Sequence, residues 1–534
     1  MKYYLTGQQA GLIDRYTQDK VGIPGLVLME KAAETAADEL ERKIEEDGFG
    51  FSKEKDKILI VSESGNNGGD GVAVARILKT HGYDTYVYEI NGISSKSESY
   101  LKQVEIAKNL GVNFISPDFK NEDVFTDYRI IVDSVFGVGL TREVKGIQSE
   151  VIDLINRAGE KSAFIFSIDI PSGISSSNGH ILGNAVKSDM TVTFQYVKYG
   201  MLVNEGREYS GEIICRDIGL CMPDGSEELK KIYYEYDIDD IKKILPARKK
   251  DSNKGTYGKV LVIAGSKDVF GAMYMAAESA LRAGAGLVKV ITDIRNRDVI
   301  ADKLPEAVMY TYDSDNLTHE DFSKLEESVS WADVILVGPG IGTDEVAEDI
   351  FRKTIEAAGA KDSKRQDKKL VLDADALNII SQNRDEWFEK ITDAVGKGNV
   401  VITPHMAEMS RISGMSIGDI KENPGEIAKQ LSDKFGLITV LKDARTCITA
   451  PDDESIYINT TGNSGMSTGG SGDVLAGVIS GLAAQMKGRS ESLKDIASVA
   501  VNLHGRAGDA AAAEKGERGM IASDILVAIC RDIC

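Results

Sequence analysis

The sequence predicts an α/β protein made of two three-layer α/β domains, and three observations predict it. Its 534 residues exceed what one core ordinarily serves, at about 100–200 residues per domain. Short β-rich runs recur with helical periodicity between them, the rhythm of a parallel sheet covered by helices. That rhythm stops once, over the charge-dense residues 221–246, and then starts again. Domains are therefore expected over 1–220 and 247–534, joined by a linker.

The formal charge of −21 argues against a nucleic-acid backbone or an anionic membrane as the principal partner, since both are repelled at long range. Five cysteines, an odd number with no CxxC pair, read as reduced thiols of a cytoplasmic protein. No apolar run approaches the roughly 18 residues of a membrane helix, and MKYYLTGQQAGLIDRY lacks the apolar core of a signal peptide. A soluble protein acting on small molecules is the expectation.

In chain order, Gly7 to about Asp47 carries apolar residues at helical spacing, broken by Gly22, Pro24 and Gly25, and predicts two helices. The runs KILIVSES, DTYVYEI, RIIVDSVFG, AFIFSIDIPSG, MTVTFQY and GEIICRDIGL predict the strands of a first parallel sheet. Past the linker, KVLVIAGS, GLVKVIT, DVILVGPGIG, KLVLDADAL, VVITPH and ITVLKDA predict a second α/β unit, with a helix after each strand. Ligands of such sheets sit at the carboxyl ends of the strands.

The first chemical motif is SGNNGGDG, residues 64–71, at a strand-to-helix turn. Glycine permits positive φ and close backbone approach, asparagine tolerates the left-handed region, and the following helix aims free amides at the turn. Phosphate is a natural guest, although the spacing is neither GxxxxGK[ST] nor GxGxxG. A tight turn with polar filler is the alternative. Two more strand ends, DSVFGVG at 133–139 and DIPSG at 169–173, put a carboxylate where a strand stops and a glycine turn begins. Such a placement is costly in a core and ordinary at a ligand mouth.

With GNNGGDG, DSVFGVGL, DIPSG and the later AVKSDMTVTF, Lys198 and Gly200, residues 1–220 resemble NAD(P)H-hydrate epimerases, the Rossmann-like N-terminal half of bifunctional NAD(P)H-hydrate repair enzymes. The resemblance implies that Asn66, Asn67, Gly68, Gly69, Asp70, Gly137, Val138, Gly139, Leu140, Thr141, Arg142, Glu143 and Asp169 hold the hydrated dinucleotide. It also implies a potassium ion on Asn67, Asp133 and Ser172, all able to offer the oxygen ligands of a hard cation. Asp169 would be catalytic, either moving a proton at the hydrated ring or orienting that ring. Val138 departs from the family, which has a threonine or similar polar residue there.

The second motif, TTGNSGMSTGGSGDVLAGVISGLAA, spans residues 460–484. Gly469, Gly470 and Gly472 precede an apolar helix expected to begin near Asp473, which gathers backbone amides for phosphoryl oxygens at a positive helix end. That end is expected to keep Asp473 ionised, ready to accept a proton from a hydroxyl attacking phosphorus. A glycine-rich turn with Asp473 as an ordinary N-terminal acid is the alternative.

GSGD at a helix start resembles the ribokinase-like superfamily. Together with GPGIG, DADALN, TPHMAE and HGRAGDAAAAEKGERGMIASDIL it makes residues 247–534 resemble NAD(P)H-hydrate dehydratases. This implies that Ala272, Gly340, His405 and the catalytic Asp473 contact the hydrate, and that Lys442, Asp443, Ala444, Arg445, Thr446, Gly470, Ser471 and Gly472 contact an adenine nucleotide. Asp443, Met406 and Ala407 depart from the family pattern, which has glycine at the first position and a proline-glycine pair at the others.

The reaction so implied is epimerisation of R and S hydrates at C6, then ADP-dependent dehydration of the S form to NAD(P)H with release of AMP and phosphate. Implied cofactors are potassium at the first site, magnesium at the second, and ADP as phosphoryl donor with ATP as the alternative. Implied partners are NADHX, NADPHX, the nucleotide and further copies of the chain as a homo-oligomer.

The rival reading is a ribokinase-like kinase of a small alcohol with a regulatory or scaffold N-terminal domain; GNNGGDG joined to DIPSG argues against it. His405, beside Pro404 and Glu408, reads either as a backbone-bonded core histidine or as a ligand contact. His81, His180, His319 and His504 show no metal-binding spacing.

Overall fold

The computed structural model describes residues 1–46, 48–90, 96–116, 123–245, 247–248, 250–360, 368–486 and 489–532. It separates into two compact units, one of Tyr3–Tyr233 and one of Tyr234–Cys534 with Met1–Lys2.

The N-terminal unit is built on a parallel sheet of β1 (Lys57–Ser62), β2 (Asp84–Glu89), β3 (Asn113–Ile115), β4 (Ile130–Ser134), β5 (Phe164–Ile168), β6 (Met190–Phe194) and β7 (Glu212–Arg216), in the order β3-β2-β1-β4-β5-β6-β7. Strand β1 shows why the sheet lies inside: Ile58 and Ile60 enter one core, Leu59 and Val61 the other, all four fully buried. On the first face pack α2 (Gly25–Glu45), α3 (Asn66–Thr80) and α4 (Glu98–Asn109), with Ala32, Ala33, Ala36, Ala37 and Leu40 of α2 meeting the sheet and α3. On the second packs α5 (Ile147–Glu160). Strand order reverses between β1 and β4, which opens a crevice at their carboxyl ends. The expected pair of helices at the start is α1 (Gly7–Tyr16) and α2; between them Thr17–Val21 forms a π-helical turn that apolar spacing does not signal.

The C-terminal unit contains β8 (Lys259–Ile263), β9 (Leu287–Asp293), β10 (Val308–Tyr312), β11 (Val334–Val337), β12 (Lys369–Leu372), β13 (Val400–Ile402), β14 (Ile438–Leu441), β15 (Cys447–Ala450) and β16 (Asp453–Ile458). Their order is β10-β9-β8-β11-β12-β13-β14-β15-β16, with Tyr233–Glu235 next to β16. Pairing is parallel from β10 to β14 and antiparallel from β14 to β16. The expectation of a helix after every strand is corrected at ITVLKDA, where Asp443–Thr446 turn the chain straight back into β15.

Helices α6 (Gly271–Arg282), α7 (Met406–Ser413), α8 (Ser471–Ala484) and α9 (Leu493–Lys515) frame the second site. The GVISGLAA pattern of α8 has a packing cause. A Cβ on Gly477 would stand 2.2 Å from the Ala276 carbonyl oxygen, and one on Gly481 2.4 Å from that of Ala280, so α8 and α6 touch backbone to backbone.

The segment 221–246, expected as a linker, is bonded into both units. Gln9 donates to the Glu228 and Lys231 carbonyls in the first, and Tyr236 donates to Asp495 at 2.6 Å in the second, where Ile238–Ile244 is helical. Among the described residues, no helix is long and apolar enough to cross a membrane.

Candidate active sites

In the N-terminal unit a cavity of about 660 Å³ opens at the carboxyl ends of β1, β4 and β5. The glycines of GNNGGDG serve it by close approach and not by positive φ, which none of them adopts. A Cβ on Gly68 would stand 1.6 Å from the Glu63 carbonyl oxygen, and one on Gly71 1.9 Å from Ser134 Oγ. Helix α3 can thus start directly at the strand end. Its N-cap, Gly65, supplies no side-chain cap, so the first amides of α3 stay available at the cavity wall.

Of the expected residues, Asn66, Asn67, Asp70, Gly137, Val138, Gly139, Leu140, Thr141, Arg142 and Asp169 line the cavity, while Gly68 and Gly69 lie buried behind it. Glu143 is outside the lining, its carboxylate 2.6 Å from Lys145. The backbone carbonyl of Val138 accepts a bond from Ser176 Oγ at 3.2 Å.

Asp169 holds an uncommon positive φ of 70° and receives a bond from Lys198, which is itself buried and anchored 2.7 Å from Thr193 Oγ1. Asp169 Oδ2 lies 3.4 Å from where a Cβ on Gly137 would stand, so glycine there keeps this oxygen open to the cavity. Two further carboxyls face the same space. Burial, with the neighbouring Asp169 charge, raises Asp70 well above the usual carboxylate range and raises Asp14 as well.

Beneath Asp169 lies the trio expected to hold potassium. Asp133 is fully buried and, among the described residues, accepts from Ser167 Oγ (2.7 Å), Ser172 Oγ (2.6 Å) and the amides of Ser172 and Val135. Burial raises its pKa, against the pull of those donors. Both polar atoms of the Asn67 side chain are buried without a hydrogen-bond partner among the described residues. A buried carboxylate with no ion-pair partner among the described residues, an orphaned amide oxygen and a hydroxyl form a donor set that suits a hard monovalent cation.

In the C-terminal unit the GSGD helix starts at Ser471, two residues earlier than expected, after Gly470 at φ 93°. No side chain caps it, so its amides too are free for a ligand. Beside it Lys442 Nζ donates to Asp373 Oδ1 at 2.7 Å, and Thr403 Oγ1 reaches the same oxygen at 2.7 Å. Burial works against the Lys442 ammonium, but Asp373 and Glu408 outweigh it and raise its pKa. The expectation that the helix end keeps Asp473 ionised is corrected: burial and the neighbouring Asp373, only partly offset by Lys442, push Asp473 up to about 7.

His405 proves to be a helix cap. Its Nδ1 accepts from the amides of Ala407 (3.1 Å) and Glu408 (3.3 Å) at the start of α7, and burial, with Lys442 and Arg411, lowers its pKa. Glu408, buried alongside, is pushed up to about 7. Gly340 and Ala272 adjoin each other, the Ala272 Cβ being 3.2 Å from the position of a Cβ on Gly340. Lys442, Gly470, Ser471, Gly472 and Asp473 come together, whereas Asp443 and Ala444 are exposed and Arg445 bonds the Thr460 carbonyl at 3.2 Å.

Sequence reasoning passed over Asp14, Asp373 and Glu408, and gave Lys198 no role. Asp373 ends β12 in DADAL, the same strand-end carboxylate signal that marks Asp133 and Asp169, and Ala374 after it is strained at φ 49°. That signal was sufficient to find Asp373.

Residues 260–531 match the family described as NAD(P)H-hydrate dehydratase, and residues 25–200 match the YjeF-related protein N-terminus. A bifunctional NAD(P)H-hydrate repair enzyme of Moorella thermoacetica is 32% identical over 98% of this chain and 95% of its own length. The chain belongs to the bifunctional NAD(P)H-hydrate repair enzyme family. The Escherichia coli member is 33% identical over 88% of this chain and 83% of its own. Among solved structures, an ADP/ATP-dependent NAD(P)H-hydrate dehydratase from Bacillus subtilis, co-crystallised with ATP and magnesium, is 26% identical over 55% of this chain and 95% of its own, with a TM-score of 0.44. The two matched families fall one in each unit, in the order expected of the repair enzymes.

Proposed function

We propose that the N-terminal unit interconverts the R and S hydrates of NADH and NADPH at C6, and that the C-terminal unit dehydrates the S form at the expense of an adenine nucleotide. The observation that carries the reading is repeated in both units: an uncapped helix start beside a lysine–carboxylate pair with one buried partner, Asp169–Lys198 with α3 and Asp373–Lys442 with α8.

In the first unit the amides of Asn66 and Asn67 and the loop Gly137 to Arg142 bind the dinucleotide, and Asp169 exchanges a proton at the C6 hydroxyl. Lys198, by bonding Oδ1, leaves Oδ2 to do so. Asn67, Asp133 and Ser172 hold a potassium ion, whose charge favours the dinucleotide's phosphates at this wall.

In the second unit Gly340, Ala272 and His405 border the hydrate. The amides of Gly470 to Gly472 receive the nucleotide phosphates, and Lys442 adds charge at the transferring group. Asp473, with a pKa of about 7, is suited to take the C6 hydroxyl proton as that oxygen attacks phosphorus. Asp373 is the carboxylate that would hold magnesium, a cation that takes one or two carboxylates plus phosphate and would there neutralise the transferring phosphates. The fused architecture favours ADP as donor. Cys215, Cys221 and Cys447 are free thiols, as suits the cytoplasm.

Two variants test the division of labour on a mixture of R and S hydrates with nucleotide, followed by chiral chromatography. Asp169→Asn is expected to convert only the S fraction, and Asp473→Asn to equilibrate R and S without producing reduced cofactor. An Asp169→Asn protein that still consumes R would refute the assignment.

A further inference from the structure

The cavity holds more carboxyl groups than binding requires. Asp14, on α1, lines it together with Asp70 and Asp169, and its Oδ2 accepts a bond from Gln18 Nε2 at 2.8 Å while Oδ1 has no partner among the described residues. It sits in the last turn of α1, whose helical backbone runs on without a break through Val21. The chain then enters the π-helical turn Thr17–Val21, which carries Gln18, and such turns are frequent at functional sites. The packing of this region is carried by Gly7, Gln9 and Ile13 of α1 and by Thr17 of the turn, and Asp14 is not among these buried residues.

We propose that Asp14 is a second catalytic residue of the epimerase, a carboxylic acid that hands a proton to the ring nitrogen while Asp169 takes one from the C6 hydroxyl. The proposal rests on the epimerase reading above. The hydrate bears its hydroxyl and its ring nitrogen on one carbon, so it is a hemiaminal, and inversion needs the C6–N1 bond to open and close. As Asp169 removes the hydroxyl proton, the oxygen electrons form the C6 carbonyl. The C6–N1 pair leaves onto nitrogen, which takes the Asp14 proton. Rotation presents the other carbonyl face, N1 adds to C6 again, and the two protons return. No oxidant or further reactant enters.

The surroundings favour the protonated form of Asp14. Burial raises its pKa and the Asp169 charge adds to this, against Gln18 and Arg15. Asp70, raised by burial, Asp169 and Asp14, supplies no cation, and Lys198 is engaged with Asp169; Glu63 and Arg142 are the other charged groups of the lining.

The test compares wild type, Asp14→Asn, Asp70→Asn and Gln18→Leu for epimerisation rate against pH, with dehydration of pure S hydrate as a control on the same samples. A general acid contributes at least about 100-fold. Asp14→Asn is therefore expected to lose about that much turnover, with KM for the hydrate within about threefold, and to lose the alkaline limb of the profile. Gln18→Leu removes a donor that favours ionised Asp14 and is expected to move that limb to higher pH, which keeps the proposal testable should Asp14→Asn fail to fold. An Asp14→Asn rate within about twofold of wild type, an alkaline limb unmoved in Gln18→Leu, or loss confined to Asp70→Asn would each overturn it. Wild type that does not epimerise would instead overturn the epimerase reading.

Discussion

Lys442 Nζ stands 2.7 Å from Asp373 Oδ1, and a Cβ on Gly472 would lie 3.3 Å from that same nitrogen, so the ion pair sits under the amide end of α8. Lys442→Met leaves Asp373 buried with Thr403 alone. Removing one partner of a buried pair costs about 3–5 kcal/mol. Thermal scans should show the C-terminal unit destabilised on that scale, and nucleotide-dependent dehydration should fall by at least about 100-fold while epimerisation continues.

Asp473 gives the dehydratase its pH dependence. Its proton-accepting form prevails above its pKa of about 7, so kcat/KM for the S hydrate should fall below that pH, measured with the nucleotide saturating. Stability runs the other way. A carboxyl whose pKa is higher folded than unfolded contributes stability that is full below its unfolded pKa and lost as pH rises through the folded value. Asp473→Asn should therefore unfold at a higher temperature than wild type above about pH 7, with the difference shrinking towards about pH 4.

Much of both sheets was legible in the sequence because their strands are buried on both faces and read as unbroken apolar runs, Ile58 to Val61 and Val334 to Val337 among them. Half-exposed strands such as Val308–Tyr312 and Asn113–Ile115 gave no such run. GNNGGDG and GSGD located both sites, since a helix starting on glycine without a capping side chain leaves donors for a ligand. Asp14, Asp373 and Lys198 escaped because their meaning depends on which distant elements face them, as when α1 turns Asp14 towards Asp169. The ionisation of Asp473 was misjudged because a helix end is local and visible in sequence, whereas the burial that opposes it is set by tertiary packing.

Gly68 should be among the least replaceable residues of the N-terminal unit. A methyl group at this position would meet the Glu63 carbonyl at 1.6 Å, and backbone at both ends prevents relief. Gly68→Ala should destabilise this unit by about 1–3 kcal/mol or more, as overpacking does, and depress epimerisation while dehydration of S hydrate persists.

Asn67 reports on the cation. With both polar atoms buried and unpartnered, it destabilises the fold unless an ion fills the space. Asn67→Leu is expected to match or exceed wild-type stability in tetramethylammonium buffer and to fall below it in potassium, because only wild type gains from the ion. Equal responses of the two proteins to potassium would remove the cation from Asn67.

The central claim, two linked activities in one chain, is tested most directly by following the near-ultraviolet absorbance of reduced nicotinamide while the purified protein meets mixed R and S hydrates with ADP, with ATP or with no nucleotide. The account predicts recovery of the whole mixture with ADP and none without nucleotide. Folded protein that recovers nothing with either nucleotide, or that stops at the S fraction, would contradict it.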